Sequence, residues 1–329
     1  MKVDKFRFNY LKSILLHLLM EETKETKETK ETKETKELKE KHEEYQYLRL
    51  IKDILEDGHK ETTRNGTTIS LFGRSMRFSL KNNKIPILTT KQTAWKTCLK
   101  ELLWFISGST DNRKLLSQNV HIWDGHSSRE YLDSIGFHDR EENDLGPIYG
   151  HQWRHFNAPY TDFNTDYTGE GIDQLKFIID MLKDPETRTS RRLVMSAWNP
   201  CQFDEMALPP CHVLCQFNVH SGNKLSCALY QRSGDVGLGV PFNISSYSFL
   251  THLLAKHCGL EPFEFIYFLG NAHIYDDHVE PLKEQLSNVP FEFPTIRITP
   301  CEEITDYKIT DFAIYDYKMC EKINMKMRI

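Results

Sequence analysis

Residues 208–219 read Leu208-Pro209-Pro210-Cys211-His212-Val213-Leu214-Cys215-Gln216-Phe217-Asn218-Val219. Two prolines fix the backbone just ahead of a cysteine, and an apolar run of strand length follows. A thiol at a rigid strand entrance can be held toward a cleft, although a lone cysteine is more often a small buried hydrophobe. His212 and Cys215 raise a metal reading. Strand alternation, however, predicts His212 on the face opposite Cys211 and Cys215. No second ligand pair with zinc-like spacing exists in the sequence, so no metal is expected.

Outward from this stretch, further strands are predicted at 193–198, 225–231, 264–268 and 295–298. A helix is predicted over 245–258, closed by Gly259. Toward the N-terminus, Tyr47, Leu48, Leu50, Ile51, Ile54 and Leu55 have helical spacing ahead of Gly58, and strand pieces follow at 68–72 and 76–79. Thr89 or Thr90 could cap a helix running to Ile106, with Trp95, Cys98, Leu99, Leu102, Leu103 and Ile106 as its apolar stripe. Ile172, Leu175, Ile179 and Leu182 mark another, ended at Asp184-Pro185. Helices and strands mix without strict alternation. The expected fold is therefore α+β: one domain with a mixed β-sheet core flanked by helices.

The chain has 329 residues, 39% hydrophobic and 27% charged, with a formal net charge of −5, which suits an ordinary globular protein that can bury a sizeable core. A mildly acidic chain is not a bulk nucleic-acid or membrane-surface binder, so an anionic ligand needs a local Arg or Lys cluster. Eight cysteines are too sparse for a disulfide scaffold. They read as buried thiols of a reducing compartment, and cytoplasmic location is expected. No stretch approaches the ~20 apolar residues of a membrane span. Two organisational units are expected, an extension over 1–42 and a folded domain over 43–329. Within the extension a Glu-Thr-Lys unit repeats from Glu22 to about Glu37. Its period of three matches no helix face, and it has no apolar side, so it reads as a solvated spacer. Ahead of it, an organelle presequence is poorly served by a single Arg and Asp4, and Met20 is an alternative start.

Several further residues carry chemistry. A thiol needs a nearby cation to ionise near neutrality, and Arg232 and the pair Arg191-Arg192 are the candidates. With Arg64 they could form a phosphate clamp of bidentate donors. The stretch from Gln231 to Asn243 (Gln-Arg-Ser-Gly-Asp-Val-Gly-Leu-Gly-Val-Pro-Phe-Asn) leaves a strand and enters a helix. It reads either as a recognition segment whose glycines admit a ligand or as a flexible loop with Asn243 as helix cap. It is no P-loop, since no Gly-Lys-Ser/Thr follows. His273 and Tyr275, two apart, would share one face of a strand. Glu101 heads the apolar run Leu102-Leu103-Trp104-Phe105. If buried it would carry a raised pKa suited to proton shuttling, though a partly exposed helix Glu is commoner.

Each signal is modest, and their joint order is not. The runs 101–105, Asp144-Leu145-Gly146-Pro147-Ile148-Tyr149-Gly150, Gln152-Trp153-Arg154, Arg191-Arg192, Ser196-Ala197-Trp198-Asn199, 207–212, 231–243 and Ala272-His273-Ile274-Tyr275 together resemble thymidylate synthase over roughly 45–327. The resemblance implies a homodimer formed through the sheet face. It implies methylation of deoxyuridine monophosphate to thymidine monophosphate, with 5,10-methylenetetrahydrofolate as cosubstrate giving carbon and hydride. Cys211 would add to C6 of the base. Asn243 would read O4 and N3–H, Glu101 would move protons through water, and Tyr149 would help remove the C5 proton. Arg232 would bind phosphate and lower the Cys211 pKa. Arg64, Ser233 and, from the second subunit, Arg191 and Arg192 would complete the phosphate site. His273 and Tyr275 would hold the sugar. Gln231, Gly234 and Asp235 fall in the same substrate-binding run. Ile122, Trp123, Asp235, Leu238, Gly239, Phe242 and Met327 would line the folate pocket.

Departures from the family pattern are a loop one residue shorter after Arg64, Asn271 in place of an aspartate, His126 in place of an asparagine, and a tail without Pro-His-Pro. No fused reductase is expected from the short polar extension. A rival reading is a nucleotide hydroxymethylase on the same fold, but Asn243 argues against its cytosine-specific form and Trp123 favours reduction. The intact set Cys211, Arg232, Asn243, Glu101 and Tyr149 argues against a catalytically dead scaffold, and no basic-aromatic stripe signals RNA binding.

Overall fold

The computed structural model describes residues 42–63 and 66–328. The Glu-Thr-Lys repeat, Met20 and Arg64 lie outside the described residues. The chain divides into two compact units, Met1–Tyr45 and Gln46–Ile329, and nearly all of the first is among the residues not described.

Helix α1 (Tyr45–Asp57) buries Tyr47, Leu48, Leu50, Ile51 and Ile54 of the stripe its spacing predicted and leaves Leu55 half-buried. It stops at Gly58, whose N–H donates to the Ile54 carbonyl at 3.0 Å. A Cβ at Gly58 would lie 2.4 Å from that oxygen. Strands β1 (His59–Thr63) and β2 (Gly66–Ser79) pair antiparallel, so the two strand pieces predicted separately are one strand. The order continues through α2 (Trp95–Ile106), the short helices α3 (Arg113–Leu116), α4 (Asp124–Ser127), α5 (Arg129–Ser134) and α6 (Tyr149–Arg154), and α7 (Gln174–Lys183). After these come β3 (Val194–Ser196), β4 (His212–His220), β5 (Lys224–Asp235), α8 (Gly239–His257), β6 (Glu261–Tyr275), α9 (Val279–Leu286), β7 (Thr295–Ile298) and β8 (Phe312–Tyr315).

Six strands form one sheet in the order β1-β2-β6-β5-β4-β3, and β7-β8 form a separate pair. Within the large sheet β5 and β6 run parallel and the other neighbours antiparallel, which is the mixed sheet expected. A parallel pair needs a crossover connection, and α8 supplies it. That helix is buried nearly all round. Its polar residues tolerate this because their hydroxyls bond back one turn: Ser248 to Ile244 O and Thr251 to Tyr247 O, both at 2.7 Å. Among the described residues no helix is long and apolar enough to cross a membrane.

Four local expectations change. Helix α2 starts at Trp95 rather than at a Thr89 or Thr90 cap. Both threonines are instead drawn into tertiary bonds, Thr89 Oγ1 accepting from Phe291 N at 3.0 Å and Thr90 Oγ1 from Gln285 Nε2 at 2.9 Å. Helix α7 starts after Asp173, which caps it by accepting from Lys176 N, and leaves Ile172 exposed. Strand β5 runs on to Asp235, so Arg232, Ser233 and Gly234 sit on a strand rather than a loop. Because α8 starts at Gly239, Asn243 lies inside the helix and does not cap it. For β5 the parallel partner β6 extends the ladder as far as Asp235↔His273, and pairing overrides the turn propensity of glycine.

Candidate active site

The C-terminal ends of the parallel pair, the start of α8 and one face of α2 surround a cavity of about 670 Å³. It brings together most of the residues singled out from sequence: Glu101, Ile122, Trp123, Tyr149, Cys211, Gln231, Arg232, Ser233, Asp235, Leu238, Gly239, Phe242, Asn243, His273, Tyr275 and Met327 all line it. Gly234 does not; it sits behind the wall, where a Cβ would come within 2.8 Å of Leu269 Cδ2. Arg191 and Arg192 are exposed and do not line this cavity.

Cys211 is half-buried at the mouth of β4. The prolines before it do more than stiffen the chain. Arg232 Nε donates to Pro210 O at 2.9 Å and Nη2 to Pro209 O at 2.8 Å. Its guanidinium, 5.7 Å from the Trp198 ring centroid, is thereby pinned beside the thiol, and its remaining N–H groups are left to meet an anion. Arg232 pulls the Cys211 pKa downward, in the expected direction, but burial pushes the thiol up by more, so it stands above its ordinary value. Within this one chain, then, desolvation wins.

Tyr149 holds the backbone at Cys211. The N–H of Cys211 donates to the Tyr149 hydroxyl oxygen at 2.7 Å and that of His212 at 3.5 Å. Burial keeps the phenol's pKa well above its usual value. Its ring lies 4.7 Å from Phe105 and 5.1 Å from His212, centroid to centroid.

His212 itself lines the same cavity as Cys211, against the alternation argument. A bulge between His212 and Leu214 breaks the register with β5, and one extra residue is enough to re-aim a side chain. Burial pulls its imidazole down to about 4, so it is neutral, with the Asn243 side chain opposing that shift. His212 Nδ1 has no hydrogen-bond partner among the described residues.

Glu101 is buried on α2. Desolvation lifts its carboxyl to about 7, opposed by the Trp123 indole, which donates from Nε1 to Oε1 at 2.8 Å. Such a group can give or take a proton near neutrality. Gln231 bridges Tyr267, whose hydroxyl donates to Oε1, and Ser233 O, which accepts from Nε2 at 2.8 Å. His273 Nδ1 donates to Asn271 Oδ1 at 3.0 Å, so Asn271 still orients the imidazole and leaves Nε2 as an acceptor. His273 and Tyr275 pack edge to face at 5.2 Å at the end of β6. Asp235 Oδ1 accepts from Gly237 N at 2.8 Å and faces His278 Nδ1 at 3.5 Å.

The sequence reading missed Lys91, Phe105, Leu208 and the tail residues 322–325 and 328 as wall residues. Lys91 is buried with its ammonium on the Gly237 carbonyl. Its one signal was a cation in the polar run Thr89-Thr90-Lys91-Gln92-Thr93 that follows the apolar residues 85–88. Among the described residues no group of three or more His, Cys, Asp or Glu is placed to hold a metal ion. Chemically, the site combines a sulfur nucleophile, a pinned guanidinium, an amide for reading a planar ring edge, and a carboxyl poised near neutrality.

The family model described as thymidylate synthase matches residues 45–329. A bifunctional dihydrofolate reductase-thymidylate synthase of Zea mays is 52% identical over 287 residues, 86% of this chain and 54% of the relative. A protein of the same printed name from Paramecium tetraurelia is 50% identical over 86% of this chain and 61% of its own length. Thymidylate synthase of Homo sapiens is 53% identical over 86% of this chain and 90% of its own length. The chain thus spans about half the length of the bifunctional plant relatives and nearly the whole of the human protein's. With a family match over residues 45–329 and identities of half or more across most of its length, the chain belongs to the thymidylate synthase family.

Proposed function

We propose that this chain methylates deoxyuridine monophosphate to thymidine monophosphate, with 5,10-methylenetetrahydrofolate donating both the carbon and the hydride. The observation that carries the reading is the meeting of Cys211, Arg232, Asn243 and Glu101 in one cavity. Cys211 adds through sulfur to C6 of the uracil, and C5 becomes an enolate-like nucleophile toward the folate's one-carbon unit, splitting one hard step into easier ones. Asn243 reads O4 and N3–H. Glu101 exchanges protons at O4 and the folate nitrogen through water. Burial keeps the Tyr149 hydroxyl protonated against the opposing pull of the two backbone N–H groups that donate to it, so it helps remove the C5 proton by orienting a water rather than as a free phenolate. Arg232 and Ser233 bind phosphate, with Arg64; His273 and Tyr275 hold the sugar hydroxyl; Ile122, Trp123, Leu238, Phe242 and Met327 pack the folate.

The proposal includes a homodimer through the sheet face, with Arg191 and Arg192 entering the partner's phosphate site. This would also resolve the thiol's ionisation. One guanidinium does not outweigh burial at Cys211, and added positive charge would move the balance toward thiolate. Residues 43–329 form the catalytic domain and 1–42 an extension outside it. The eight free thiols fit a cytoplasmic location.

The test is spectrophotometric. Dihydrofolate formation with deoxyuridine monophosphate and the folate is expected for the wild type. Cys211→Ala should abolish it while nucleotide binding persists. Turnover of the cytidine nucleotide in its place, or undiminished activity of Cys211→Ala, would overturn the reading.

A further inference from the structure

The last residues of the chain form a wall of the cavity. Lys322, Ile323, Asn324, Met325, Met327 and Arg328 all line it, and three separate contacts hold them there. The Cys320 N–H donates to the Thr89 carbonyl at 2.8 Å. His278 Nε2 donates to the Lys326 carbonyl at 2.8 Å. Arg328 closes the series with Nη2 at 3.0 Å from Asp277 Oδ1 and 3.2 Å from Asp276 Oδ1, and with Nε at 3.3 Å from Asp277 Oδ1. Its guanidinium also lies 5.8 Å from the centroid of Tyr275.

These contacts tie the tail to the segment that follows β6, which carries the sugar-binding candidates His273 and Tyr275. The packing is specific as well as charged. A Cβ at Gly237 would meet His278 Nδ1 at 2.6 Å and Met325 Sδ at 3.0 Å, so that position must be glycine for Met325 to seat beside His278. His278 has one nitrogen on the Lys326 carbonyl and the other facing Asp235, so the tail and the recognition strand β5 meet on one buried ring. An arginine shared by two adjacent carboxylates is a small network rather than an isolated surface pair, which is the case where exposed charges hold geometry.

The geometry points to Arg328, held by Asp276 and Asp277, as a positioning residue for the folate subsite: it fastens the tail as a cavity wall, so the folate and not the nucleotide senses its loss. This rests on the function proposed above. Met327, its neighbour in sequence, is the residue that would touch the folate, and Arg328 acts through it.

Two readouts test the latch. In Arg328→Ala, amide hydrogen exchange over 320–328 should quicken by up to about fivefold, the size expected when a partly exposed ion-pair network is removed. KM for the folate should rise by about fivefold on the same ground, while KM for the nucleotide and kcat stay within about twofold. Arg328→Lys should restore part of the folate affinity, and added salt should raise the wild-type folate KM toward the variant's, because the pairs are screened. Unchanged tail exchange in Arg328→Ala, or equal rises in both KM values, would overturn the latch. If the wild type proved inactive, the folate role would fall with the proposed function, and hydrogen exchange alone would still decide whether Arg328 holds the tail.

Discussion

At the scale of single residues, environment rather than residue type assigns the roles. Glu101 and Asp235 are both carboxylates on the cavity wall. Burial lifts Glu101 to about 7 against the opposing hydrogen bond from Trp123, whereas Asp235 is committed to a backbone N–H and to His278. Because the folded pKa of Glu101 lies above the ordinary 4.5, the folded state holds the proton more tightly. Its contribution to stability is complete below about 4.5 and is lost as pH rises through about 7, amounting to about 3 kcal/mol at most. Glu101→Gln should therefore flatten the fall in stability between those values in urea titrations followed across pH. It should also remove a limb near pH 7 from the kcat/KM profile. A variant profile that kept this limb would assign the proton to another group.

Elements position these residues. The Tyr149 hydroxyl at the start of α6 fixes the entry of β4 by accepting two backbone N–H groups. Tyr149→Phe would leave both without that acceptor, at a cost of about 1–3 kcal/mol for the better of the two. Chemical denaturation should show that loss, and kcat should fall more than KM changes, because the nucleophile's backbone is what shifts. A variant as stable as the wild type would mean that the hydroxyl is replaceable there. The bulge in β4 works at the same scale. It turns His212 into the cavity, so a period-two reading of 212–215 failed at the position where the site needed an exception. The extension of β5 to Asp235 and the early start of α8 place Arg232 and Asn243 on rigid elements, which holds their geometry more tightly than a loop would.

Across the whole molecule, the sheet buries one face against α8 and leaves aromatic side chains on the other. Leu229, Tyr267 and Leu269 are buried, while their strand neighbours Tyr230 and Phe268, paired side by side in register, are 41% and 45% exposed. Val194 on β3 is also exposed. An aromatic face of this kind marks an interaction surface, which the proposed homodimer would cover. Phe268→Glu should shift sedimentation toward monomer. It should also lower turnover by about tenfold or more. A separated subunit would forgo the hydrogen bonds to phosphate from Arg191 and Arg192 of the second subunit, and each such charge-assisted bond is worth about 1.5–3 kcal/mol. A fully active monomer would refute shared sites. Sedimentation of the wild type as a monomer would do the same.

Much of this protein is written locally in its residue order. The apolar stripe of α1 and the mixed-sheet class were legible from local periodicity, and Cys211 from its two prolines, whereas most of the cavity wall was legible only through the resemblance of the ordered motifs to thymidylate synthase. Long-range packing, by contrast, set the starts of α2 and α8, the side of β4 on which His212 lies, the net direction of the Cys211 thiol, and the Arg328 clasp on Asp276 and Asp277. Each of these depends on what a distant segment brings within a few ångströms: Phe291 and Gln285 for the threonines, β6 for the length of β5, a buried surround for the thiol, and the tail for the acidic pair. Dehydration and charge act through space, and the order of residues along a chain does not encode those distances directly.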